Sequence, residues 1–113
     1  MTTHNMNLHL QPFNAIKCGA KTIEMRLFDE KRQLVNVGDC ILFTCTANEE
    51  TLLCRVVRMY RYPTFADMYA AWDKIALGYA NDEVADPADM YRYYSPEKEM
   101  HYGVVGIQVE KID

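Results

Sequence analysis

The sequence predicts an α+β fold in which short strands curl into a small closed β-barrel of about five to six strands. Five segments alternate apolar and polar residues or are rich in valine and tyrosine, and they follow the order strand, helix, three strands, two short helices, strand. A short polar loop joins the third and fourth strands, which requires antiparallel pairing. The other connections leave no room for the crossover helices of an open parallel sheet, so a barrel is favoured.

The first half of the chain begins with a strand and a helix. Met6–Leu10 alternates and predicts the first strand, and Gln11–Cys18 predicts a helix. Gly19 predicts the end of that helix, because glycine enters the left-handed conformation without penalty. Lys21–Leu27 then predicts the second strand, and the charged segment Phe28–Val35 predicts an exposed loop or helical turn.

Two strands joined by a hairpin are predicted next. Gly38–Asp39 is typical of a tight turn, and it precedes the alternating segment Cys40–Thr46, which predicts the third strand. Ala47–Glu50 predicts a polar hairpin loop. Thr51–Tyr62 has the strongest strand pattern in the chain, and Pro63 predicts its end.

The last third of the chain predicts two short helices and a final strand. Thr64–Trp72 has apolar residues at helical spacing behind a threonine N-cap. The segment Asp73–Asp86 is less regular, and Asp86–Pro87 predicts the start of a second short helix that stops before Pro96. Tyr102–Ile112 predicts the last strand.

Size and charge narrow the functional classes. At 113 residues, the chain is predicted to form a single domain spanning residues 1–113. A net charge of −4 argues against a large footprint on duplex DNA, which is usually strongly basic. Neither a signal peptide nor an apolar run of about 18 residues is found, so we expect a cytoplasmic protein without a membrane segment. The sequence indicates no particular oligomeric state.

The cysteines and histidines show no pattern that indicates a metal site or a nucleophile. The four cysteines form no C-x-x-C pair and have no histidine close to them in sequence; they are Cys18, Cys40, Cys45 and Cys54. We therefore expect no metal, no cofactor, and reduced thiols that are mostly buried.

A charged segment at residues 19–26 is the most informative stretch. Lys21, Glu24 and Arg26 fall within six residues of a predicted strand. Three charged side chains so close together are unusual in a strand packed on an apolar core, whereas they are expected on the wall of a polar pocket. Because strand side chains alternate, Lys21 is predicted to point to one face, and Glu24 and Arg26 to the other. The alternative is a salt-bridge ladder on an exposed strand edge.

Four motifs in order resemble the ASCH domain family. They are Gly-x-Lys-Thr-Ile-Glu-x-Arg at 19–26, Val-Gly-Asp-Cys-Ile-Leu-Phe at 37–43, Tyr-Pro-Thr-Phe at 62–65 and Tyr-Gly-Val-Val-Gly-Ile at 102–107. The resemblance spans nearly the whole chain, from Leu8 to Ile112. It implies a PUA-like mixed β-barrel with short helices packed at its ends, and a cleft that holds RNA or a nucleoside-like ligand.

The resemblance also implies roles for individual residues. Some members of the family hydrolyse the amide of acetylated cytidine with a lysine, a threonine and a later glutamate, and others are reported to cut RNA. Lys21 matches the lysine, Glu24 stands in place of the threonine, and Glu83 is the nearest candidate by order for the glutamate. The departure at Glu24 favours binding of RNA or a modified nucleotide. The alternative is an amidohydrolase acting on an acylated nucleoside such as N4-acetylcytidine, with Lys21 as base or nucleophile.

Four residues are candidates for contacts with a ligand. A buried Lys21 can lose its proton and act as a base or nucleophile, or stay protonated and hold a phosphate or carbonyl oxygen. Glu24 can orient Lys21 or accept from a nucleobase amine, and Arg26 can clamp a phosphate or a base edge. Tyr102 can stack a base, although packing at the barrel rim is an equally good interpretation. A third hypothesis is a structural or regulatory partner domain whose charged strand only guards a sheet edge.

Overall fold

The computed structural model describes residues 1–112, which form one five-stranded sheet with short helices. The strands are β1 (Thr3–Leu8), β2 (Ile23–Leu27), β3 (Cys40–Cys45), β4 (Thr51–Tyr62) and β5 (Val104–Lys111). Their order in the sheet is β1-β3-β4-β5-β2, with β1 parallel to β3 and the other pairs antiparallel. The sheet curls into a half-barrel whose edge strands are β1 and β2. The predicted α+β fold with a small mixed β-barrel is confirmed, but the barrel is open between β1 and β2 rather than closed.

Short helices connect the strands. The α-helices are α1 (Leu10–Lys17), α2 (Phe65–Ala71) and α3 (Pro96–Tyr102), and two 3-10 helices span Arg32–Leu34 and Pro87–Arg92. Thr64 caps α2 as predicted, because its side chain accepts a hydrogen bond from the Asp67 N–H at 3.1 Å. Asp86 caps the second 3-10 helix in the same way, through the Ala88 N–H at 2.9 Å.

Helix α3 was not predicted: the helical segment that starts at Pro87 stops before Pro96 as expected, at Arg92, and a further helix begins at Pro96. The Ser95 side chain accepts a hydrogen bond from the Lys98 N–H at 3.2 Å, and Pro96 lies in the first turn. Proline is favoured there because its missing N–H would have no partner inside the helix. Pro96 therefore begins a helix that ends at Tyr102, so the last strand does not start at Tyr102 as predicted. Gly103, with a φ of 68°, leads the chain into β5.

Strand β2 also begins later than predicted, at Ile23. The N–H groups of Thr22 and Ile23 both donate to the Ala76 carbonyl at 3.0 Å, so this part of the chain is held by the segment that follows α2. Lys21 precedes the strand and is not subject to its alternation. At the other edge of the sheet, β1 ends at Leu8, because Leu10 already belongs to α1.

Two apolar cores cover the faces of the sheet. The first packs Phe13 and Ile16 of α1 against buried residues of β3 and β5, including Phe43 and Ile107. The second packs the apolar face of β2 against α2; its members include Ile23, Met25, Leu27, Phe65 and Met68. Each large side chain buried in this way stabilises the fold by about 1.5–3 kcal/mol. The alternating apolar side chains of β2 therefore pack in the second core, and the polar side chains of this strand point to its opposite face.

The four cysteines are free and differ in exposure. Cys45 and Cys54 are buried, Cys40 is half-buried and Cys18 is exposed. Burial raises the pKa of Cys54 to about 11, so its sulfur is held as a thiol. Among residues 1–112, no group of three or more His, Cys, Asp or Glu side chains is placed to hold a metal ion. Within the same residues, no helix has the length and apolar character of a membrane span.

Candidate ligand-binding site

A cavity of about 680 Å³ lies between the two edge strands of the half-barrel. Its wall is formed by the end of β1, the start of α1, strand β2, and parts of the segment 77–94. Ligand pockets usually measure about 300–1,000 Å³, so this cavity has room for a ligand of the size of a nucleoside.

Lys21, Glu24 and Arg26 meet on the wall of this cavity. The Lys21 ammonium lies 2.8 Å from Glu24 Oε1, and Arg26 Nε lies 2.6 Å from Glu24 Oε2. The side chains of Lys21, Glu24 and Arg26 are 6%, 3% and 12% exposed. The predicted separation of Lys21 from the other two is therefore wrong, and the three charges form a buried cluster rather than an exposed ladder.

The turn after α1 explains how Lys21 reaches the cluster. Gly19 adopts a φ of 89°, which reverses the chain, and the Lys21 N–H then donates to the Ala15 carbonyl at 3.0 Å. Gly78, with a φ of 106°, lies against the side chain of Lys21, because a Cβ added at Gly78 would come within 2.8 Å of Lys21 Cδ. Lys21 is thus held between the end of α1 and the loop that contains Gly78.

The electrostatics of the cluster depend on Glu24. Burial alone raises the pKa of Glu24, but the charges of Lys21 and Arg26 and their hydrogen bonds outweigh it and lower this pKa to about 2. Burial acts to lower the pKa of Arg26, and the charge of Glu24 reverses that effect and raises it. Glu24 and Arg26 therefore stay ionised at neutral pH, in an environment that would penalise either charge alone.

Arg26 also links the two edges of the half-barrel. One of its terminal nitrogens, Nη2, donates to the Asn7 carbonyl on β1 at 2.8 Å, while its Nε donates to Glu24 on its own strand. These two edge strands are not hydrogen-bonded to each other in the sheet. The guanidinium therefore bridges the gap in which the cavity lies.

A chain of hydroxyl groups forms another part of the wall. The hydroxyls of Tyr69 and Tyr79 lie 2.8 Å apart, and Tyr79 donates to Asp89 Oδ2 at 2.8 Å. Tyr69 lies within the helix predicted at Thr64–Trp72, and Tyr79 lies in a segment for which no element was predicted. The contact between them depends on the path of the irregular segment 73–86, which has no local sequence pattern that could have revealed it.

Of the remaining candidates, Glu83 lines the cavity and Tyr102 does not. Glu83 Oε1 accepts from the Ala80 N–H at 2.7 Å and from Gln11 Nε2 at 3.2 Å. Tyr102 lies at the end of α3, and its hydroxyl donates to Glu30 Oε1 at 2.9 Å in a separate hollow. The structure therefore brings Lys21, Glu24, Arg26 and Glu83 together and leaves Tyr102 outside their cavity.

Two further aromatic side chains line the rim. Tyr93 is 56% exposed, and its ring centroid lies 5.6 Å from that of His9. Tyr94 lies beside Arg26, whose charge opposes the rise that burial produces in the pKa of this phenol. Tyr93 and Tyr94 also line the hollow that contains Tyr102, so these two rings stand between the two concavities.

The ASCH domain family model matches residues 6–113 of this sequence. The chain belongs to the ASCH domain family. A comparison with curated proteins gave no significant match. Solved structures resemble the ASCH protein along its whole length.

Two of these structures have sequences clearly related to this ASCH protein. The hypothetical protein PH0355 is 30% identical over 98% of this chain and 100% of its own, with a TM-score of 0.79. Protein PF0455 from Pyrococcus furiosus is 32% identical over 99% of both chains, with a TM-score of 0.73. A mutant of ZmASCH from Zymomonas mobilis has a TM-score of 0.68 over 98% of this chain and 71% of its own; at 11% identity it shows the shared fold alone.

Proposed function

We propose that this ASCH protein binds a nucleoside unit, free or within a short single-stranded RNA, in the cavity between β1 and β2. The observation that carries the proposal is the buried cluster of Lys21, Glu24 and Arg26 on the cavity wall. Burying three charges costs desolvation energy, and well-packed apolar residues of similar volume are often at least as stable. The cluster is therefore better explained by recognition of a polar ligand than by stability.

The aromatic side chains of the cavity support the same proposal. Tyr69, Tyr79, Tyr93 and Tyr94 all line it, and Tyr93 is exposed at the rim beside His9. Stacking of a base on an aromatic side chain contributes about 1–3 kcal/mol where it has been measured. If a base stacks on one of these rings, its polar edge remains available for hydrogen bonds with the buried charged side chains. The general association of ASCH domains with RNA is consistent with this ligand class.

The test is a calorimetric titration with the four ribonucleosides and with a short single-stranded RNA. We expect the wild-type protein to bind at least one of them, and Lys21→Ala to bind it at least about tenfold more weakly, because each lost charged contact removes on the order of 1.5–3 kcal/mol. Lys31→Ala is the matched control, since Lys31 is exposed and lies outside the cavity lining. Absence of binding, or equal binding by wild type and Lys21→Ala, would overturn the proposal.

Hydrolysis of an acylated nucleoside is the second candidate function. The observation in its favour is that the Lys21 amine and the Glu83 carboxylate line one cavity, as a base and a partner acid require. Binding remains the better proposal because the Lys21 ammonium is already engaged by Glu24 at 2.8 Å. Release of acetate from N4-acetylcytidine tests the second candidate. A flat time course at high protein concentration would remove it for this substrate.

A further inference from the structure

The hydrogen bonds of Tyr69, Tyr79 and Asp89 run in one direction. An ionised carboxylate can only accept hydrogen bonds, so Tyr79 gives its single hydroxyl hydrogen to Asp89 Oδ2 at 2.8 Å. The other acceptor near Tyr79, the Asp86 carbonyl, is more distant at 3.3 Å. In the 2.8 Å bond between the two phenols, Tyr79 is therefore the acceptor and Tyr69 the donor.

Tyr69 is left as an acceptor only. Its one hydrogen points to Tyr79, so its oxygen has lone pairs but no hydrogen to offer to a molecule in the cavity. A phenol is already protonated at neutral pH, and burial raises the pKa of Tyr69 and of Tyr79 further, so neither loses the hydrogen that sets the direction of the chain. The wall therefore offers a fixed acceptor at Tyr69.

A fixed donor lies in the same cavity. The Lys21 ammonium has three N–H groups, and Glu24 is its one polar side-chain partner among residues 1–112. The loop that contains Gly78 and Tyr79 touches both the donor and the acceptor. Gly78 packs against the Lys21 side chain, and the hydroxyl of the next residue, Tyr79, is hydrogen-bonded to Tyr69. A ligand in the cavity thus meets N–H donors at Lys21 and an obligatory acceptor at Tyr69.

The charges of the lining give no net attraction to an anionic group. Three cationic and three anionic side chains line the cavity, so their formal charges cancel; they are Lys21, Arg26 and Arg92, and Glu24, Glu83 and Asp89. A phosphate placed beside Tyr69 would bring only oxygens to a hydroxyl that can only accept, and to the nearby carboxylate of Asp89. Neither group would offer it a hydrogen bond.

Taking the proposed function as its basis, we infer that the cavity selects a neutral lactam edge, a carbonyl oxygen beside an N–H group, and that Tyr69 accepts this N–H while Lys21 donates to the carbonyl. Uracil presents this edge at N3–H and its two carbonyls. In this arrangement Tyr69 determines specificity, and Asp89 is a positioning residue that acts through Tyr79. A phosphate of the ligand does not occupy the position beside Tyr69.

The test compares uridine with N3-methyluridine on the wild-type protein by calorimetry. Methylation removes the N–H and leaves the Tyr69 oxygen unpaired, so we expect binding about tenfold weaker or more, because an unpaired buried polar group costs about 1–3 kcal/mol. Uridine 5′-monophosphate should bind no more tightly than uridine. Equal binding of uridine and N3-methyluridine would overturn the inference, and so would binding of cytidine or adenosine, which lack a lactam edge, but not of uridine. If no nucleoside binds, it is the proposed function that fails.

Variants identify the group that senses the N–H. Tyr69→Phe keeps the ring and removes the acceptor, so the ratio of the two affinities should fall towards one. Asp89→Asn should also lower the ratio, because an amide can donate as well as accept and no longer fixes the direction of the chain. Tyr60→Phe is the matched control: its hydroxyl donates to Gln108 at 3.0 Å, outside the cavity lining, and its ratio should equal that of wild type. A wild-type ratio in Tyr69→Phe would contradict the assignment.

Discussion

The buried glutamates Glu24 and Glu99 are about equally inaccessible, at 3% and 5% exposure, but they have different partners. Glu99 on α3 accepts from the Phe65 N–H at the start of α2 at 2.8 Å and from the Tyr91 hydroxyl at 2.7 Å. Glu24 instead accepts from two cations, Lys21 and Arg26, that line a cavity.

The difference separates a carboxylate that stabilises the fold from one that organises a site. Glu99 satisfies a backbone N–H that the first turn of α2 leaves without a partner, and so joins two helices. Glu24 pairs with two charges that water would have solvated well. Its interactions therefore mainly offset the desolvation free energy that burial of these charges costs, and add little net stability to the fold. Burial alone does not distinguish these two roles, whereas the partners do.

The largest expected effect on stability comes from removing the carboxylate of the cavity cluster, as we call the buried cluster of Lys21, Glu24 and Arg26. Glu24→Ala leaves Lys21 and Arg26 buried without their shared anion, and should lower the free energy of unfolding by about 3–5 kcal/mol. Urea denaturation measures this loss.

A triple variant provides the matching control for that loss. Lys21→Met with Glu24→Leu and Arg26→Met should recover most of the stability, because no charge remains buried. The same variant should not bind nucleosides. A triple variant as unstable as Glu24→Ala would show that the cluster stabilises the fold in its own right.

Acid should weaken the cavity cluster in a defined pH window. The pKa of Glu24 is lowered from 4.5 to about 2 in the folded protein, so its contribution to stability is fully present above pH 4.5 and is lost as the pH falls towards 2. Glu24→Gln should therefore flatten the pH dependence of the free energy of unfolding in this window. Some slope should remain, because hydrogen bonds, first that of His4, also lower the pKa of Asp39 to about 2. A wild-type slope in Glu24→Gln would contradict the assignment.

Glu99→Gln tests the other half of the comparison. A glutamine can still accept from the Phe65 N–H, but the Tyr91 hydroxyl loses its charged acceptor and faces an amide NH2 group, so we expect a loss of about 1–3 kcal/mol in the free energy of unfolding. The affinity for nucleosides should stay within twofold of wild type, roughly the error of such a measurement. If affinity falls as far as in Lys21→Ala, the distinction between the two carboxylates fails.

The smallest effect is expected from two matched glycines. Gly78 and Gly38 have φ values of 106° and 94°, so alanine at either position carries a similar backbone strain of about 1–2 kcal/mol. Only at Gly78 would the added Cβ crowd Lys21, whereas nothing lies within 4 Å at Gly38. Nucleoside affinity should therefore fall several-fold in Gly78→Ala and remain unchanged in Gly38→Ala. The same affinity in both variants would mean that Gly78 does not position Lys21.

Sequence analysis predicted the five strands and the family, because alternation and glycine turns are local signals. It missed helix α3, because a proline that follows one helix also begins another behind the Ser95 cap. It also failed at Lys21, because an alternation rule was applied to a residue that precedes the strand. In both cases the outcome depended on a boundary, which local patterns locate least well.

The candidate site was predictable only in part, for a different reason. Lys21, Glu24 and Arg26 lie within one motif, so their charges were visible in the sequence before their contacts were known. Tyr79 and Asp89 belong to irregular and 3-10 segments, and their contact depends on the tertiary path of the chain. Contacts of this kind leave no periodic pattern in the sequence.

A titration of the isotope-labelled protein with uridine, followed by the backbone amide signals in NMR spectra, tests the central claim most directly. The account predicts that the largest shift changes fall at residues 21–26 and 77–79, which surround the cavity cluster, and that the amides of α3 around Glu99 and Tyr102 barely move. Changes concentrated on α3 and the hollow beside Tyr102, with residues 21–26 unaffected, would contradict it.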